Sequence, residues 1–162
     1  MNETTVAEIT KMIKLIRTSR SSVHGSQEQQ WIEHQLSDDR LKEVVANLSI
    51  IALHILSALE ETELTGIELA QRLAVTRGGV TRAAKKLLEY DLVHAGKHPD
   101  DQKKIYYSLT AAGREIAAVH DRMHEELRAT VTKKLLAKYS DEDLEVVSRF
   151  LQDFYQLEKE LN

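Results

Sequence analysis

Two helix-capping patterns lie close together in the middle of the chain and constrain its fold more than any other feature. Thr65 and Glu68 match a capping box, in which each residue's side chain accepts a hydrogen bond from the other's backbone amide. Thr76 is a favourable N-cap for a second helix that runs to about Tyr90. A tight turn at Ala74 and Val75 separates the two helices. This pattern predicts a helix-turn-helix.

A β-hairpin is predicted directly after the second of these helices. Residues 92–95 and 105–109 flank a polar tip at residues 96–104, and the second of these runs is rich in β-branched and aromatic side chains. Ile105 and Leu109 fall on the same face of the second strand. A hairpin at this position is a wing, so the sequence predicts a mainly α fold, a winged helix-turn-helix.

Apolar residues recur at helical spacing on both sides of this motif. They predict an amphipathic first helix around residues 6–16, a second helix over residues 38–61 and a long helix over residues 110–138. A further capping box, Ser140 to Asp143, opens the last helix. Residues 21–30 have weak periodicity, and they fit either a continuation of the first helix or a break in it.

The charge distribution favours a nucleic-acid partner for the predicted motif. The chain has a net charge of −4, but residues 72–104 hold eight basic and four acidic side chains, which makes this stretch +4 and the remainder −8. A basic island in an acidic chain is what a confined phosphate-binding surface requires. A solvated charged face is the alternative interpretation.

The second helix of the motif presents a polar face suited to the DNA major groove. Arginine and lysine can pair with guanine, and a threonine methyl can contact thymine. Helical spacing puts the candidate contacts on one side of the helix, opposite the predicted inward residues Val80, Ala84, Leu87 and Leu88. These candidates are Arg77, Gly78, Thr81, Arg82 and Lys85. In the wing, Lys103 can reach a phosphate or the minor groove, with Asp101 placed to orient it.

Composition limits the other functions that the chain can have. It contains no cysteine, which excludes disulfides and thiolate metal sites, so any metal must be held by imidazole and carboxylate. The N-terminus lacks the apolar region of a signal peptide, and no apolar run reaches the length of a membrane span. We therefore expect a cytoplasmic protein.

The order of the predicted elements and two stretches of sequence resemble the MarR family. The stretches are LTGIELAQRLAVTRGGVTRAAKKLLEYDLV and HPDDQKKIYYSLTAAG. The resemblance implies a homodimer held by the N- and C-terminal helices, two winged lobes and a palindromic operator in double-stranded DNA. The family wing usually carries an arginine where this chain has Gln102-Lys103. The implied regions are residues 1–37 (dimerisation helix and loop), 38–110 (winged helix-turn-helix) and 111–162 (long helix and dimerisation helix).

Three histidines resemble those of the zinc-uptake repressor branch of this family in streptococci and lactococci. His120 and His124 are four residues apart, so both project from one face of the long helix, and His54 lies in a helix that packs nearby in this fold. Imidazole is a preferred zinc ligand. The resemblance implies a fourth ligand near the end of the first helix, which we assign to Glu33, with His34 as the alternative.

The same branch has a second metal site built from a cysteine and glutamates. At two of the corresponding positions this chain has Leu53 and Val119, and it has no cysteine, so we predict that the second site is absent or remade.

These observations together predict a DNA-binding transcriptional repressor, not an enzyme, with zinc as its corepressor and zinc-uptake genes as its targets. One alternative is a MarR-type repressor that is released by a small aromatic or phenolic ligand. Another is a zinc hydrolase that uses three histidines and a metal-bound water, although the chain has no HExxH motif.

Overall fold

The computed structural model describes residues 3–20 and 24–161. Over these residues the chain is mainly helical, with one small antiparallel sheet. The elements are α1 (Glu3–Arg20), α2 (His24–Gln35), α3 (Asp39–Ala46), α4 (Ile50–Ala58), β1 (Leu64–Thr65), α5 (Gly66–Arg72), α6 (Arg77–Glu89), β2 (Val93–His98), β3 (Asp101–Leu109), α7 (Ala111–Lys134), a 3-10 turn (Leu136–Lys138) and α8 (Asp141–Leu161).

The hydrophobic core lies in the first of two compact units, Met1–Met123. Helix α4 is apolar along most of its length and packs against both α5 and α6, so it supports the helix-turn-helix from behind. The second unit, His124–Asn162, contains the last turns of α7, the 3-10 turn and α8. Fully buried side chains of the core include Leu53, Ile55, Leu56, Leu69, Leu87, Leu92 and Ile116.

The predicted helix-turn-helix is confirmed, together with both of its caps. The Thr65 hydroxyl accepts from the Glu68 backbone N–H at 3.3 Å, and the Glu68 carboxylate accepts from the Thr65 N–H at 2.7 Å. Thr76 caps α6 by accepting from the Gly79 N–H at 3.1 Å. Ala74 makes the turn with a left-handed backbone, at φ 52°. Local hydrogen bonds therefore fix the start and the separation of both helices.

The prediction of one helix over residues 38–61 is wrong, because the chain forms α3 and α4 there. Asn47 ends α3, and its backbone N–H donates to the carbonyl of Val44 at 3.0 Å. Ser49 then caps α4 by accepting from the Ala52 N–H at 3.2 Å. The apolar spacing continues across the break, so periodicity alone does not show it.

The long helix is also shorter than predicted, since α7 ends at Lys134 and a 3-10 turn follows. The capping box that opens α8 is confirmed, with the Asp143 N–H donating to the Ser140 hydroxyl at 3.2 Å. Of the undecided stretch 21–30, residues 24–30 are helical, and residues 21–23 lie outside the described residues.

The wing is a hairpin as predicted, but its strands are longer than the sequence suggested. Strands β2 and β3 extend into the segment predicted as a polar tip, so that only residues 99–100 connect them. Most of their side chains are exposed, which explains why the polar composition was interpreted as a loop. The two-residue strand β1 was not predicted, and it pairs with β3 at Tyr106 and Tyr107.

Helix α7 begins in close contact with the end of α6. The Thr110 hydroxyl donates to the carbonyl of Asp91 at 2.8 Å and accepts from the Gly113 N–H at 3.0 Å. A Cβ at Gly113 would lie 1.9 Å from the carbonyl oxygen of Leu92. Only glycine fits at this contact, which joins the wing to the long helix.

Two helices expose apolar side chains, in agreement with their predicted amphipathic pattern. The exposed residues of α1 are Val6, Ile9, Met12, Leu15 and Ile16. Those of α8 are Val146, Val147, Phe150, Leu151, Tyr155, Leu157 and Leu161. None of the helices in the described ranges has the length and apolar composition needed to span a bilayer.

Candidate functional site

Four side chains on three helices bring potential metal-ligating atoms together. Glu28 on α2, His54 on α4, and His120 and His124 on α7 each offer one such atom, and these atoms all lie within 4.8 Å of one another. We call these four residues the donor group. No other set of three or more histidine, aspartate or glutamate side chains converges in this way within the described part of the chain.

The three predicted histidines lie close together, one on α4 and two on α7. The rings of His54 and His120 pack edge to face, with centroids 5.3 Å apart and an interplanar angle of 64°. His120 is only 2% exposed, whereas His54 and His124 are partly buried. One turn of α7 separates His120 from His124, so both reach the same side of that helix.

The carboxylate of the donor group is Glu28 and not the predicted Glu33. Both residues lie on α2, but five positions along a helix rotate a side chain by about 140°, so Glu33 is directed elsewhere. The alternative, His34, is exposed, and its Nδ1 lies 2.6 Å from the backbone oxygen of Gln30. The sequence signal that was missed is that Glu28 is the one carboxylate in the polar stretch SQEQQ, residues 26–30.

Gln29 explains why α2 presents Glu28 to the histidines. Its side-chain amide donates to the carbonyl of Leu48 at 2.6 Å and to that of Val45 at 3.3 Å. Val45 lies in the last turn of α3, and Leu48 lies between α3 and α4, six residues before His54. The bonds fix α2 against this corner between α3 and α4, and the neighbouring residue, Glu28, is held beside α4.

The donor group fits a zinc ion by its chemistry and by its one unsatisfied atom. Three imidazoles and one carboxylate form a four-donor set of the kind that zinc accepts. Oxygen Oε2 of Glu28 is buried and has no hydrogen-bond partner. A buried carboxylate oxygen without a partner is costly, and a bound cation would satisfy it.

Asp121 lies next to the donor group and collects several hydrogen bonds. Its Oδ1 accepts from the hydroxyl of Ser57 at 2.6 Å and lies 3.2 Å from Nδ1 of His120. Burial opposes ionisation of Asp121, but hydrogen bonds from Ser57, Glu60 and His120 outweigh it and lower the pKa of this carboxyl. Burial and the neighbouring carboxyl of Asp121 raise the pKa of Glu60.

The positions that correspond to the second metal site of the resembling branch are occupied by core residues. Leu53 has no exposed surface and Val119 is 6% exposed, and both belong to the hydrophobic core. The absence of a second site stays a prediction.

The predicted polar face of α6 is exposed along its length. It consists of Arg77, Gly78, Thr81, Arg82 and Lys85, which we call the reading face. The hydroxyl of Thr81 donates to the backbone carbonyl of Arg77 at 2.9 Å, so its methyl group is the part available for an apolar contact. The opposite face is buried as predicted at Val80, Ala84 and Leu87, but Leu88 is 41% exposed and was wrongly placed inside.

In the wing, Asp101 orients the lysine after the predicted one. Its Oδ1 accepts from the backbone N–H groups of Lys103 and Lys104 at 3.1 and 3.3 Å, and its Oδ2 lies 3.4 Å from Nζ of Lys104. The hydrogen bond from the Lys103 amide, with those of Lys104, holds the pKa of Asp101 below its usual range. The Asp101 carboxylate in turn raises the pKa of Lys104.

A groove joins the reading face to the wing. It has a volume of 430 Å³ and is lined by Arg77 and Thr81 from α6 and by Lys103 and Lys104 from β3. Cationic and hydroxyl side chains at such a groove can contact consecutive phosphates of a nucleic-acid strand.

Comparisons with known proteins point to one family. A model of the MarR family matches residues 46–104. The transcriptional regulator AdcR of Streptococcus pyogenes is 35% identical over 101 residues, which cover 62% of this chain and 68% of AdcR. Matches to this and three other curated relatives span 65% to 68% of those proteins' length.

Two solved structures of the Lactococcus lactis regulator ZitR are similar to this chain. One is described as a zinc-responsive MarR family member, with 30% identity, a TM-score of 0.60 and coverage of 67% of this chain and 75% of that one. The other is a ZitR mutant in complex with DNA, with 25% identity, a TM-score of 0.71 and coverage of 93% of this chain and 95% of that one.

Proposed function

The chain belongs to the MarR family, and we propose that it is a zinc-dependent repressor that binds a palindromic operator as a homodimer. MarR regulators are DNA-binding proteins that act as dimers, and they are not enzymes. Family membership therefore argues against the zinc hydrolase considered from the sequence. A repressor acts on the DNA of its target genes, so we also propose that this protein is cytoplasmic.

The donor group is the observation that carries the zinc part of the proposal. Four donors converge within 4.8 Å, and one of them has a buried oxygen atom without a hydrogen-bond partner. A relative that shares the family and the fold is described as zinc-responsive. Genes of zinc uptake are the natural targets of a repressor that is active when zinc is abundant.

The donors connect the parts of the chain that a repressor needs to hold together. Zinc, when bound, would supply a cross-link between α2, α4 and α7. Helix α4 packs directly against α6, the helix that carries the reading face. The side chain of Ile51, one turn before His54, would touch a Cβ placed on Gly79 at 3.4 Å. A change in the position of α4 would therefore displace the start of α6.

The DNA part of the proposal assigns two kinds of contact. The reading face enters the major groove, where Arg82 and Lys85 pair with base edges and Thr81 contacts a methyl group. Lys103 and its neighbour Lys104 contact phosphates or the minor groove from the wing. A dimer must present its two reading faces about 34 Å apart to reach successive major grooves.

We assign the dimer contacts to the apolar residues exposed on α1 and on α8. Exposed apolar stripes of this kind mark protein–protein contacts in soluble proteins. Burying them in a second copy of the chain would remove them from water.

The test measures operator binding with and without zinc. An operator is first selected from a random DNA library with zinc-loaded protein, and its affinity is then measured by fluorescence anisotropy in zinc or in chelator. We expect chelation to weaken binding by about 10-fold or more, within the usual range of allosteric coupling. By reciprocity, operator DNA should tighten zinc binding by the same factor.

Replacing the three histidines by alanine provides the control. The variant should bind DNA weakly whether or not zinc is present. If chelation leaves the affinity of the unsubstituted protein unchanged, the zinc proposal is wrong while the DNA proposal stands. If the variant binds the operator tightly and an aromatic acid releases it, the small-ligand alternative is correct.

A further inference from the structure

Asp121 is placed at the point where the two histidine-bearing helices meet. It follows His120 directly on α7, and its Oδ1 accepts from Ser57, which lies three residues after His54 on α4. The same oxygen lies 3.2 Å from Nδ1 of His120. One carboxylate therefore contacts both the ring of one donor and the helix that carries another.

The contact with His120 determines which ring nitrogen can ligate a metal. A carboxylate only accepts hydrogen bonds, so the nitrogen that faces it must carry the hydrogen. With the hydrogen on Nδ1, the lone pair of the neutral ring is on Nε2. Carboxylates that accept from the far nitrogen of a metal-bound histidine fix its tautomer and make it a better ligand.

The hydrogen bond between Ser57 and Asp121 helps to position the ring of His120. The 2.6 Å bond joins α7 to α4 one turn from the place where the rings of His54 and His120 meet. His120 is almost completely buried, so a small shift between the helices would displace its ring from the other donors.

We propose that Asp121 is a positioning residue for the zinc site, which holds His120 in the Nδ1–H tautomer and fixes α7 against α4. Asp121 is not itself a member of the donor group. The inference rests on the proposed zinc function. It adds a residue that acts through His120 and that the ligand pattern does not contain.

The experiment compares Asp121→Asn with a matched variant of the same helix. The Asp121→Asn substitution keeps the size of the side chain and removes the carboxylate, and Glu115→Gln removes one negative charge from an exposed position on α7. Zinc affinity is measured by competition with a chromophoric chelator. We expect D121N to bind zinc about 10- to 100-fold more weakly, as is typical for such outer partners, and E115Q to bind within about twofold of the unsubstituted protein.

A second measurement separates positioning from general damage to the fold. Nitrogen-15 NMR of the zinc-free protein reports which ring nitrogen of His120 carries the hydrogen. We expect Nδ1–H in the unsubstituted protein and in E115Q, and a shift towards Nε2–H in D121N. Ser57→Ala should keep the Nδ1–H tautomer and weaken zinc binding less than D121N does, since one neutral hydrogen bond is lost.

The outcomes distinguish this inference from the proposal beneath it. If the unsubstituted protein does not bind zinc, the proposed function fails, and the role of Asp121 fails with it. If zinc binds but D121N equals E115Q in affinity, or if D121N leaves the tautomer of His120 unchanged, only the inference about Asp121 is overturned.

Discussion

Two regions of the molecule are built in opposite ways. One is the reading face together with the wing, which we call the reading surface, and the other is the donor group. The reading surface comes from one continuous stretch, residues 65–104, in which each helix starts at its own cap. The donor group comes from residues 28 to 124, and its members meet only because the fold brings three helices close to one another at these positions. The first region is set by local hydrogen bonds, and the second by tertiary contacts such as that of Gln29 with Leu48.

This difference fits the proposed function, in which a single chain binds DNA and responds to zinc. A surface with local caps keeps its shape when distant parts of the protein move. A site whose donors come from separate helices is sensitive to their spacing, and ligand binding there can change that spacing. Variants can test whether each region keeps its own structure, although the contact of α4 with α6 couples their binding in the proposed function.

The largest effect is expected where the two regions are joined, at Gly113. A Gly113→Ala substitution places a methyl group 1.9 Å from the carbonyl oxygen of Leu92. Backbone cannot move aside easily, so we expect a loss of about 3 kcal/mol or more in the free energy of unfolding. Urea denaturation measures this loss. Gly96→Ala is the matched control, because nothing lies within 4 Å of a Cβ there; equal midpoints for the two variants would contradict the prediction.

A smaller effect is expected from the carboxylate of the donor group. Glu28→Gln should reduce zinc affinity by about 100-fold, the upper end of the loss that an outer partner typically causes. Glu33→Gln lies on the same helix and should leave zinc affinity unchanged. Competition with a chromophoric chelator measures both. If E33Q rather than E28Q loses zinc, α2 is rotated relative to this structure and the original sequence assignment is right.

The reading surface should respond without any change at the donor group. Arg82→Ala should weaken operator binding by about 1.5 kcal/mol and relax base preference at one position. Lys103→Ala should weaken binding to all sequences alike and lower the salt dependence by about one charge. Fluorescence anisotropy at several salt concentrations separates the two. A fall in zinc affinity of DNA-free R82A would show that the regions are not independent.

The smallest effect is expected at the cap of α5. The backbone N–H and hydroxyl of Thr65 lower the pKa of Glu68, so the folded state favours the carboxylate. Its stabilisation is present above the ordinary pKa of glutamate and is lost as the pH falls through the lowered value. Glu68→Gln should therefore melt below the unsubstituted protein at pH 7, with the difference vanishing once the pH lies below the lowered pKa of Glu68. A Tm difference that does not depend on pH would refute this role of the charge.

The same contrast explains how much the sequence could predict. The starts of three helices were predicted correctly from their N-caps, Thr65, Thr76 and Ser140, because a cap bonds to a residue only three positions away. The break at Asn47 was missed because the apolar spacing of α3 continues into α4. The cap at Ser49 was a readable signal there, but an unbroken apolar pattern outweighed it.

For the donor group, sequence could identify three residues but not the fourth. His54, His120 and His124 are uncommon side chains in a recognisable arrangement. Glu28 is one of many glutamates, and its role depends on how α2 docks on the corner at Leu48. That docking is a long-range contact, which residue spacing along α2 does not encode.

The three imidazoles and one carboxylate of the donor group also bear on oxidative stress. Sites that use thiolates lose their ligands when peroxide converts cysteine to sulfenic acid or a disulfide. Neither imidazole nor carboxylate undergoes that chemistry, and the chain contains no cysteine at all. A zinc-dependent repressor of the kind proposed would therefore keep its metal ligands while the redox balance of the cell changes.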